Sequence, residues 1–333
     1  MSAQRSVAVV GAGLSGLACA SAAEAGGWSV RVFDKSRGPS GRMSTRRGDG
    51  WQCDHGAQYF TARDLGFRAE VERWQQAGVA ALWSPRIASW DGTQWRSPST
   101  ALDRFVGTPR MTAPAGWLAQ QLVHPVQTST TVRALHRDGD RWALDTLEHG
   151  LLAERFDYVV LAMPAPQAKV LCAPVAPALA ALAESARMRG CWALMLQYGT
   201  PLALPVDAAF VNAGPLRWVA RDTTKPGRAG PETWLLHASP EWSEAHIEDA
   251  PETAAAALIE AFAALGAPEP DAWTAHRWRY ADTEVPLDCG HGWDAAAGLG
   301  ICGDWLAGGK VEGAWRSGRS LASALLAAAA SGA

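Results

Sequence analysis

The 333-residue chain has no C-x-x-C pair, no run of about 18 apolar residues and no excess of charge of one sign. Its six cysteines form no regular framework, which excludes the usual dithiol of a disulfide reductase and predicts reduced thiols rather than disulfides. A net charge of −3 gives no reason to expect nucleic acid or an acidic membrane surface as a partner. The first residues lack the apolar core of a signal peptide, so we expect a cytoplasmic protein.

Metal-ligand spacing and a Ser-His-Asp grouping are missing as well, so we expect no metal site. Hydrophobic residues make up 48% and charged residues 19%, which excludes wholesale disorder. Tryptophan is abundant, with 17 residues beside only 4 Tyr and 7 Phe. These rings either build a stacking pocket or are scattered through core and surface.

The amino-terminal segment has the order expected of a dinucleotide-binding unit. Residues 6–10 predict a buried strand, residues 11–16 form a G-x-G-x-x-G, and an Ala-rich helix follows to about residue 25. A second strand over 29–33 ends at Asp34, close to the spacing expected of an acid that binds a ribose hydroxyl. This order favours dinucleotide binding over a glycine-rich structural turn.

Each glycine of this motif has a mechanical role. Gly11 permits the tight turn, Gly13 lets the backbone approach a pyrophosphate, and Gly16 lets helix and strand pack closely. The helix N-terminus then offers free N–H groups and a positive dipole end to the phosphates. The sequence contains one such motif, which argues against a second nucleotide domain dedicated to NAD(P)H.

Segments outside this unit indicate which dinucleotide is bound. A cationic loop over 35–43 with Gly41-Arg42, the run 54–60, and a late Gly303-Asp304 followed by Glu-Gly-Ala at 312–314 resemble the flavin-dependent amine oxidase superfamily. Within it the chain is most similar to the renalases, particularly their bacterial branch. The similarity is carried by residues 34–44, 56–63, 236–242 and 277–281, so it extends over essentially the whole chain. One departure is Ser40, where the family pattern usually has glycine.

The resemblance implies FAD, which we expect to be non-covalent although Cys53 and Cys302 lie near flavin segments. The Arg42 guanidinium suits a bidentate contact with the pyrophosphate, the alternative being an ordinary surface arginine. A helix over 312–329 would point its first N–H groups at the flavin N1 and C2 carbonyl. The predicted cofactor-binding residues are Gly11, Ala12, Gly13, Leu14, Ser15, Gly16, Asp34, Lys35, Gly41, Arg42, Met43, His55, Gly56, Ala57, Gln58, Val132, Ala162, Pro164, Gly303, Asp304, Glu312, Gly313 and Ala314.

Candidate catalytic residues are His237, Tyr59 and Gln58. His237 ends an apolar strand and either contacts substrate or is a satisfied core histidine, whereas Tyr59 and Gln58 either face the cofactor or simply pack. Arg277 and Arg279 either meet substrate phosphates or pair with surface acids. Four tryptophans either sandwich a substrate ring or belong to the core, namely Trp234, Trp242, Trp278 and Trp305.

The predicted fold class is α/β, a Rossmann-type FAD-binding domain with an inserted α+β substrate domain, as in p-hydroxybenzoate hydroxylase and the amine oxidases. We expect hairpins over 131–146 and 87–95, buried strands over 157–163 and 299–302, a helix near 253–265 and a strand over 273–280. The predicted FAD-binding domain comprises 1–65, 126–164 and 295–333. The predicted substrate domain comprises 66–125 and 165–294.

The resemblance implies a flavin oxidase that takes hydride from 2- or 6-dihydro isomers of NAD(P)H and passes electrons to O2, giving NAD(P)⁺ and hydrogen peroxide. The partners would be a dihydronicotinamide dinucleotide and O2. Three alternatives remain: an oxidase of a free amine, a flavin-dependent desaturase or porphyrinogen oxidase, and an FAD-binding module without turnover. The sequence does not indicate an oligomeric state.

Overall fold

The structure, a computed structural model, describes residues 4–97 and 102–330. The helices in these ranges are α1 (Leu14–Ala25), α2 (Leu65–Gln76), α3 (Ala113–Gln120), α4 (Ala165–Cys172), α5 (Pro177–Glu184), α6 (Pro240–Ala245), α7 (Pro251–Ala263) and α8 (Lys310–Ala330). The strands are β1 (Ser6–Val10), β2 (Ser29–Phe33), β3 (Thr45–Arg47), β4 (Gln52–Asp54), β5 (Ala80–Trp83), β6 (Ile87–Trp90), β7 (Trp95–Arg96), β8 (Arg104–Gly107), β9 (Val132–Asp138), β10 (Arg141–Thr146), β11 (Gly150–Leu151), β12 (Tyr158–Leu161), β13 (Met188–Tyr198), β14 (Ala208–Val211), β15 (Leu216–Arg221), β16 (Glu232–Ala238), β17 (Ala272–Thr283), β18 (Gly292–Asp294) and β19 (Leu299–Ile301).

A five-stranded sheet of order β18-β19-β12-β1-β2 forms the first layer, and only its edge strand β18 is antiparallel. Strand β1 is apolar at successive positions because both faces of this sheet are covered. Val7 and Val9 pack into the core with α1 and α8, while Ala8 and Val10 pack into the core with α4 and α5. The sheet is therefore the middle of three layers.

A seven-stranded sheet of order β17-β13-β16-β15-β14-β6-β7 forms the second large element. Its long strands β13 and β17 pair antiparallel, and helix α7 covers one face by packing Leu258 and Phe262 against Trp234 and Leu236. The opposite face meets the β3–β4 hairpin, since Cys53 packs with Ala193, Met195 and Leu235. This contact brings the segment after β4 beside the centre of the large sheet.

The predicted α/β fold class is confirmed, and most predicted elements lie where the sequence indicates. Strands β1 and β2 and helix α1 have the expected bounds, and both hairpins form, as β9–β10 and β6–β7. The last helix begins slightly earlier than predicted, at Lys310 rather than at residue 312. Gly308 and Gly309 both have positive φ (79° and 75°) and end the preceding turn, so the helix begins directly after them.

The division into two domains stays a prediction, and its parts at 1–3, 98–101 and 331–333 lie outside the described residues. Packing bears on one boundary. Helices α4 and α5 belong to the same core as β12 and β19. We therefore propose that the middle segment of the FAD-binding domain continues to about residue 187 rather than ending at 164.

Candidate active site

A cavity of about 2580 Å³ runs from the carboxyl ends of β1 and β2 to the face of the large sheet. The common range for one small-molecule site is about 300–1,000 Å³, so this cavity has room for a dinucleotide and a second ligand. All predicted site residues line it except Ala12, Gly16 and Gly313. The structure thus brings together residues that are up to about 300 positions apart in the sequence.

The first wall of the cavity is the glycine turn between β1 and α1. A Cβ at Gly11 would overlap the carbonyl oxygen of Ala162, and one at Gly16 would overlap the carbonyl oxygen of Gly11. These glycines let β12 and α1 approach closely, which seats the helix N-terminus at the end of the sheet. Gly13 is the N-cap and makes no side-chain cap hydrogen bond, so the first N–H groups of α1 are available to an anion.

Ser15 and Asp34 complete this wall in different ways. Ser15 lies in the first turn of α1, and its buried hydroxyl has no hydrogen-bond partner among the described residues. Asp34 accepts from the backbone N–H of Ala12 (2.6 Å) and of Ser36 (2.7 Å), so it holds the turn as well as lining the cavity. An unsatisfied hydroxyl beside free N–H groups fits a phosphate ligand.

The cationic loop after β2 crosses this turn. Ser40 donates its backbone N–H to the Ala12 carbonyl (3.0 Å) and forms a bridge with Gly13, while a Cβ on Gly41 would lie 3.2 Å from the Gly13 Cα. Loop and turn are thus in direct contact, which brings Lys35, Gly41 and Met43 to the cavity.

Arg42 and Asp304 form an ion pair that sequence reasoning did not predict, although it named both residues. Two Arg42 Nη atoms donate to the Asp304 carboxylate at 2.5 and 3.2 Å, and Nη1 also donates to the Ala281 carbonyl. This contact ties the loop to the segment after β19 and to β17. The Nε–H and one Nη2–H of Arg42 remain for a ligand, so a phosphate contact would use these donors rather than the fork facing Asp304.

Helix α8 brings its N-terminus to the cavity through Lys310, Val311 and Glu312. The Glu312 carboxylate accepts from the backbone N–H of Asp64 (2.6 Å) and of Arg63 (3.2 Å to Oε2), so it fixes the start of α2. Gly313 lies one residue further along the helix, against the Ala307 carbonyl, and does not line the cavity. Because α8 begins at Lys310, its four free N–H groups belong to residues 310–313, and Ala314 of the next turn also lines the cavity.

A turn at His55 and Gly56 joins the cavity wall to the large sheet. The His55 carbonyl oxygen accepts from the Nε2 of His237 (3.1 Å) and from the indole N–H of Trp278 (2.9 Å). A carbonyl only accepts, so His237 carries its proton on Nε2. The ring of His55 stacks on Trp278 at 5.2 Å and meets His276 edge-on at 4.8 Å. His237 is thus a hydrogen-bonded strand histidine that also lines the cavity.

These imidazoles are uncharged at neutral pH. Burial, together with His276 and Arg46, lowers the pKa of His55 to about 3. Burial lowers the pKa of His237 to about 4, and burial and Arg46 lower the pKa of His276. The wall formed by these rings is therefore polar and neutral.

Gln58 belongs to a buried network behind this wall. Its Nε2 donates to the carbonyl oxygens of Asp54 (2.7 Å) and Gly56 (3.1 Å), and its Oε1 accepts from Lys225 Nζ (3.1 Å). Both N–H groups of the Gln58 side-chain amide and its oxygen are thus engaged within the protein. The structure thus favours packing and positioning over direct catalysis for Gln58.

Lys225 is the centre of a buried group of four charges, which sequence reasoning missed. Its Nζ lies 2.8 Å from Asp222 and 3.1 Å from Asp54, and Arg228 contacts the same two carboxylates. Burial alone would raise the pKa of Asp54, yet Lys225 and Arg228 lower it to about 2. We call these four residues the buried quartet.

Aromatic side chains form the remaining wall. The ring of Tyr59 lies 5.5 Å from Trp218, which packs edge-on against Phe210 at 4.8 Å, and all three line the cavity. Of the four tryptophans named from the sequence, only Trp278 lines it. Trp234 and Trp305 are fully buried in the cores, and Trp242 stacks on His246 outside the cavity. Trp218 carried no local signal that would have singled it out.

The cavity is strongly cationic although the chain is not. Twelve Lys and Arg residues line it against four Asp and Glu, whereas the whole chain has a net charge of −3. Arg277 and Arg279 pair with Glu248, and Arg217 pairs with Asp282. Six of the twelve make no salt bridge among the described residues, namely Lys35, Arg37, Arg46, Arg47, Arg63 and Lys310.

Residues 104–326 match the family model for flavin containing amine oxidoreductases, and residues 9–69 match that for an NAD(P)-binding Rossmann-like domain. The chain therefore belongs to the flavin-containing amine oxidoreductase family. It is an FAD-dependent oxidoreductase of that family, and the glycine turn with its free N–H groups and unsatisfied Ser15 fits this cofactor.

Solved structures share the fold over almost the whole chain. A protein assigned as a protoporphyrinogen oxidase from Exiguobacterium sp. 255-15 has a TM-score of 0.79 at 13% identity, covering 98% of this chain and 99% of its own. A putrescine oxidase variant has a TM-score of 0.74 at 15% identity, and the cyclohexylamine oxidase of Brevibacterium oxydans has a TM-score of 0.73 at 13% identity. Each of the two covers 97% of this chain and 99% of its own, and these identities establish the fold alone.

A curated relative matches part of the chain. The bifunctional protein of tRNA 5-methylaminomethyl-2-thiouridine biosynthesis from Magnetococcus marinus is 33% identical over 137 residues, 31% of this chain and 20% of that protein. The chain thus matches about a fifth of that relative's length. Among the described residues no helix is long and apolar enough to cross a membrane, and no group of three or more ligating side chains could hold a metal ion.

Proposed function

We propose that the protein oxidises 2- or 6-dihydro isomers of NAD(P)H, a renalase-type activity. Hydride leaves the dihydronicotinamide ring for FAD, and the electrons pass to O2. The overall reaction joins the dihydro isomer, O2 and one proton to give NAD(P)⁺ and hydrogen peroxide.

The observation that carries this proposal is the charge of the cavity. FAD and an NAD(P)H isomer each contain a diphosphate, so together they bring at least four negative charges to one cavity. Twelve basic residues against four acidic ones suit two such ligands, and the six basic residues without a salt bridge are available to bind phosphates. A free amine is a cation at neutral pH, and this field opposes its entry.

The side chains around the histidine turn suit the same reaction. Loss of hydride makes the nicotinamide ring an aromatic cation, so no base has to remove a proton. His55, His237 and His276 remain neutral because their pKa values are lowered, and they therefore do not repel the cation that forms. The faces of Trp218 and Trp278 favour a flat ring and stabilise positive charge on it. FAD supplies the acceptance of hydride at N5 and the return of two electrons to O2.

We further propose how the chain holds FAD. The N-terminus of α1 and the Ser15 hydroxyl would bind the pyrophosphate, the free N–H groups of Arg42 would support it, and the N-terminus of α8 would face the flavin ring. Non-covalent binding is supported by Cys53 and Cys302, which are fully buried and do not line the cavity. Acid precipitation that left flavin colour in the protein pellet would contradict it.

The second candidate is oxidation of an amine, which one feature favours. Tyr59, Phe210 and Trp218 form a continuous aromatic wall that would accept a neutral amine with an apolar body. An FAD-binding module without turnover would use the same cofactor site. These alternatives differ in which compound reduces the flavin.

An anaerobic visible spectrum separates the three readings. The purified holoprotein is mixed with 6-dihydro-NAD, with ordinary NADH, and with putrescine and cyclohexylamine as amine probes. We expect 6-dihydro-NAD to bleach the flavin band within the mixing time of a stopped-flow instrument, at a rate at least tenfold above that of any amine. Colour then returns on aeration, with one equivalent of hydrogen peroxide.

Bleaching by the amines alone would replace the proposal with the second candidate. A flavin band that no compound bleaches would support the non-catalytic module. In each of these outcomes the purified protein contains flavin before any compound is added, so the family assignment is unaffected.

A further inference from the structure

Ser40 is held in a backbone conformation that side chains avoid. Its φ is +136°, and among the described residues the other non-glycine positions with positive φ are Ser129 and Lys310. The conformation costs free energy for serine and none for glycine. Ser40 is also buried, at 6% exposure, so it does not lie in a loose surface turn.

The surrounding backbone fixes this conformation. The N–H of Ser40 donates to the Ala12 carbonyl, and its carbonyl accepts from the N–H of Met43, both at 3.0 Å. A bridge to Gly13 holds Ser40 beside the N-cap of α1. Glycine would satisfy these contacts equally well, since they use only backbone atoms. Backbone contacts therefore do not explain a serine at this position. The cost of its strained backbone is offset only if the side chain makes a stabilising contact of its own.

The position of the hydroxyl indicates such a contact. Ser40 lines the cavity, and the hydrogen bonds that the described residues make to Ser40 use its backbone N–H and carbonyl rather than its hydroxyl. Across the turn, the Ser15 hydroxyl is buried (6% exposure) and lacks a partner among the described residues. Two hydroxyls thus flank the free N–H groups of α1, where only an anionic ligand can accept from all of them.

We propose that the Ser40 hydroxyl donates a hydrogen bond to the diphosphate of FAD, and that this contact offsets the backbone strain at Ser40. Ser40 is then a cofactor-binding residue that a glycine at this position cannot replace. The inference concerns the cofactor and is independent of which substrate the protein oxidises.

Three variants test it: Ser40→Gly, Ser40→Ala and, as a matched control, Ser129→Gly. Ser129 also has positive φ (51°), but it is exposed and does not line the cavity. Each apoprotein is titrated with FAD while flavin fluorescence is followed, and its melting temperature is measured before FAD is added. Neither readout depends on turnover.

We expect Ser40→Gly and Ser40→Ala to raise the Kd for FAD about tenfold or more, as loss of a hydrogen bond to a charged group does. Ser129→Gly leaves the Kd within twofold of the wild type. The apo form of Ser40→Gly melts at or above the wild-type temperature, because the strain is gone and the backbone hydrogen bonds at this position are kept. Weaker FAD binding in a variant whose fold is intact is the signature of a ligand contact.

ADP and riboflavin locate the contact on the cofactor. Since ADP contains the diphosphate, its Kd should be higher for Ser40→Gly than for the wild type by a similar factor. Riboflavin lacks phosphate, so its Kd should be the same for both. If Ser40→Gly binds FAD as tightly as the wild type, the hydroxyl is not a ligand and the proposal is wrong. If only Ser40→Ala is weakened, the effect arises from the backbone rather than from the hydroxyl, and the proposal is also wrong.

Discussion

Two groups of charges in this protein are arranged in opposite ways. In the buried quartet, two cations and two carboxylates are all withdrawn from water and pair only with one another and with neighbouring polar groups. Around the cavity, twelve cations face four carboxylates, and half of the cations have no acidic partner in the described chain.

The difference separates charges that hold the structure from charges that await a ligand. Buried charges must be paired because desolvation is costly, and the quartet uses its pairs to fasten β4 to the connection between β15 and β16. Cavity cations remain hydrated until an anion arrives, so they tolerate the imbalance. Mutations of the two groups should therefore affect different quantities.

Removing the central cation of the quartet should have the largest effect. Lys225→Met leaves two buried carboxylates with one cation, and we expect a loss of about 3–5 kcal/mol in the free energy of unfolding. Lys169→Met is the matched control, since Lys169 pairs with Glu184 on the surface and is worth about 0–1 kcal/mol. Urea unfolding of both variants measures the difference, and equal losses would show that the quartet is not a structural element.

Acidification should have the next largest effect, because the imidazoles of His55 and His237 stay neutral in the folded protein at pH values where the unfolded chain protonates them. The pKa values of His55 and His237 in the folded protein, about 3 and 4, lie below the ordinary value of 6.5. Between pH 6.5 and 4 the unfolded chain therefore binds more protons, and stability falls as the pH falls. We expect about 1–2 kcal/mol lost per histidine by pH 5.

Thermal melts of His237→Asn and of the exposed control His149→Asn check this pH dependence. The first should flatten the loss of stability between pH 6.5 and 5, and the second should leave it unchanged. A wild-type stability that does not vary over this range would contradict the neutral histidine wall.

Arg42 combines the features of the two groups, because it forms an ion pair with Asp304 and also lines the cavity. Arg42→Ala should weaken FAD binding by about 1.5–3 kcal/mol, since a charge-assisted contact is lost. Arg86→Ala breaks a similar bidentate pair with Asp207 away from the cavity and should retain FAD fully. Flavin occupancy after gel filtration distinguishes the two, and full occupancy in Arg42→Ala would remove Arg42 from the cofactor site.

The smallest effect is expected from one unpaired cavity arginine. Arg46→Ala should raise KM for a dihydronicotinamide dinucleotide several-fold at low salt and little at high salt, with kcat unchanged, because the lost attraction is electrostatic and screened. Arg279→Ala, whose cation is already paired with Glu248, should change KM less. A larger rise in KM for Arg279→Ala than for Arg46→Ala would mean that salt-bridge pairing does not determine which arginines bind the substrate.

The sequence predicted the phosphate end of the site much better than the substrate end. Strand, glycine turn, helix and Asp34 follow one another within 30 residues, so local periodicity and spacing reveal them. The carbonyl oxygen of His55 accepts hydrogen bonds from His237 and Trp278, which lie 182 and 223 positions further along the chain. Contacts between such distant residues leave no local pattern in the sequence. Lys225 was missed for the same reason, since its partner Asp54 lies 171 positions away.

The errors have equally local causes. The sequence predicted the start of α8 at residue 312, at the Glu-Gly-Ala run, whereas Gly308 and Gly309 end the preceding turn and the helix begins at Lys310. For Trp234 and Trp305 the sequence left two alternatives open, stacking on a ligand or packing in the core, because a buried indole and a cavity indole look the same in sequence. The structure places Trp234 in the core of the large sheet and Trp305 in the core of the five-stranded sheet.

The packing of α8 on α1 has a consequence for synthesis on the ribosome. Leu17 of α1 shares its core with Leu321 and Leu325, and β1 gains its neighbour β12 long before β12 gains β19. At 5–20 residues per second, about 15–60 s separate the appearance of residue 17 from that of residue 321. Throughout that interval one apolar side of the first helix is uncovered. We therefore expect nascent chains stalled before residue 310 to be cleaved within α1 by a protease that leaves the folded protein intact. The glycine motif is then translated well before α8, yet it is among the last parts of this fold to close.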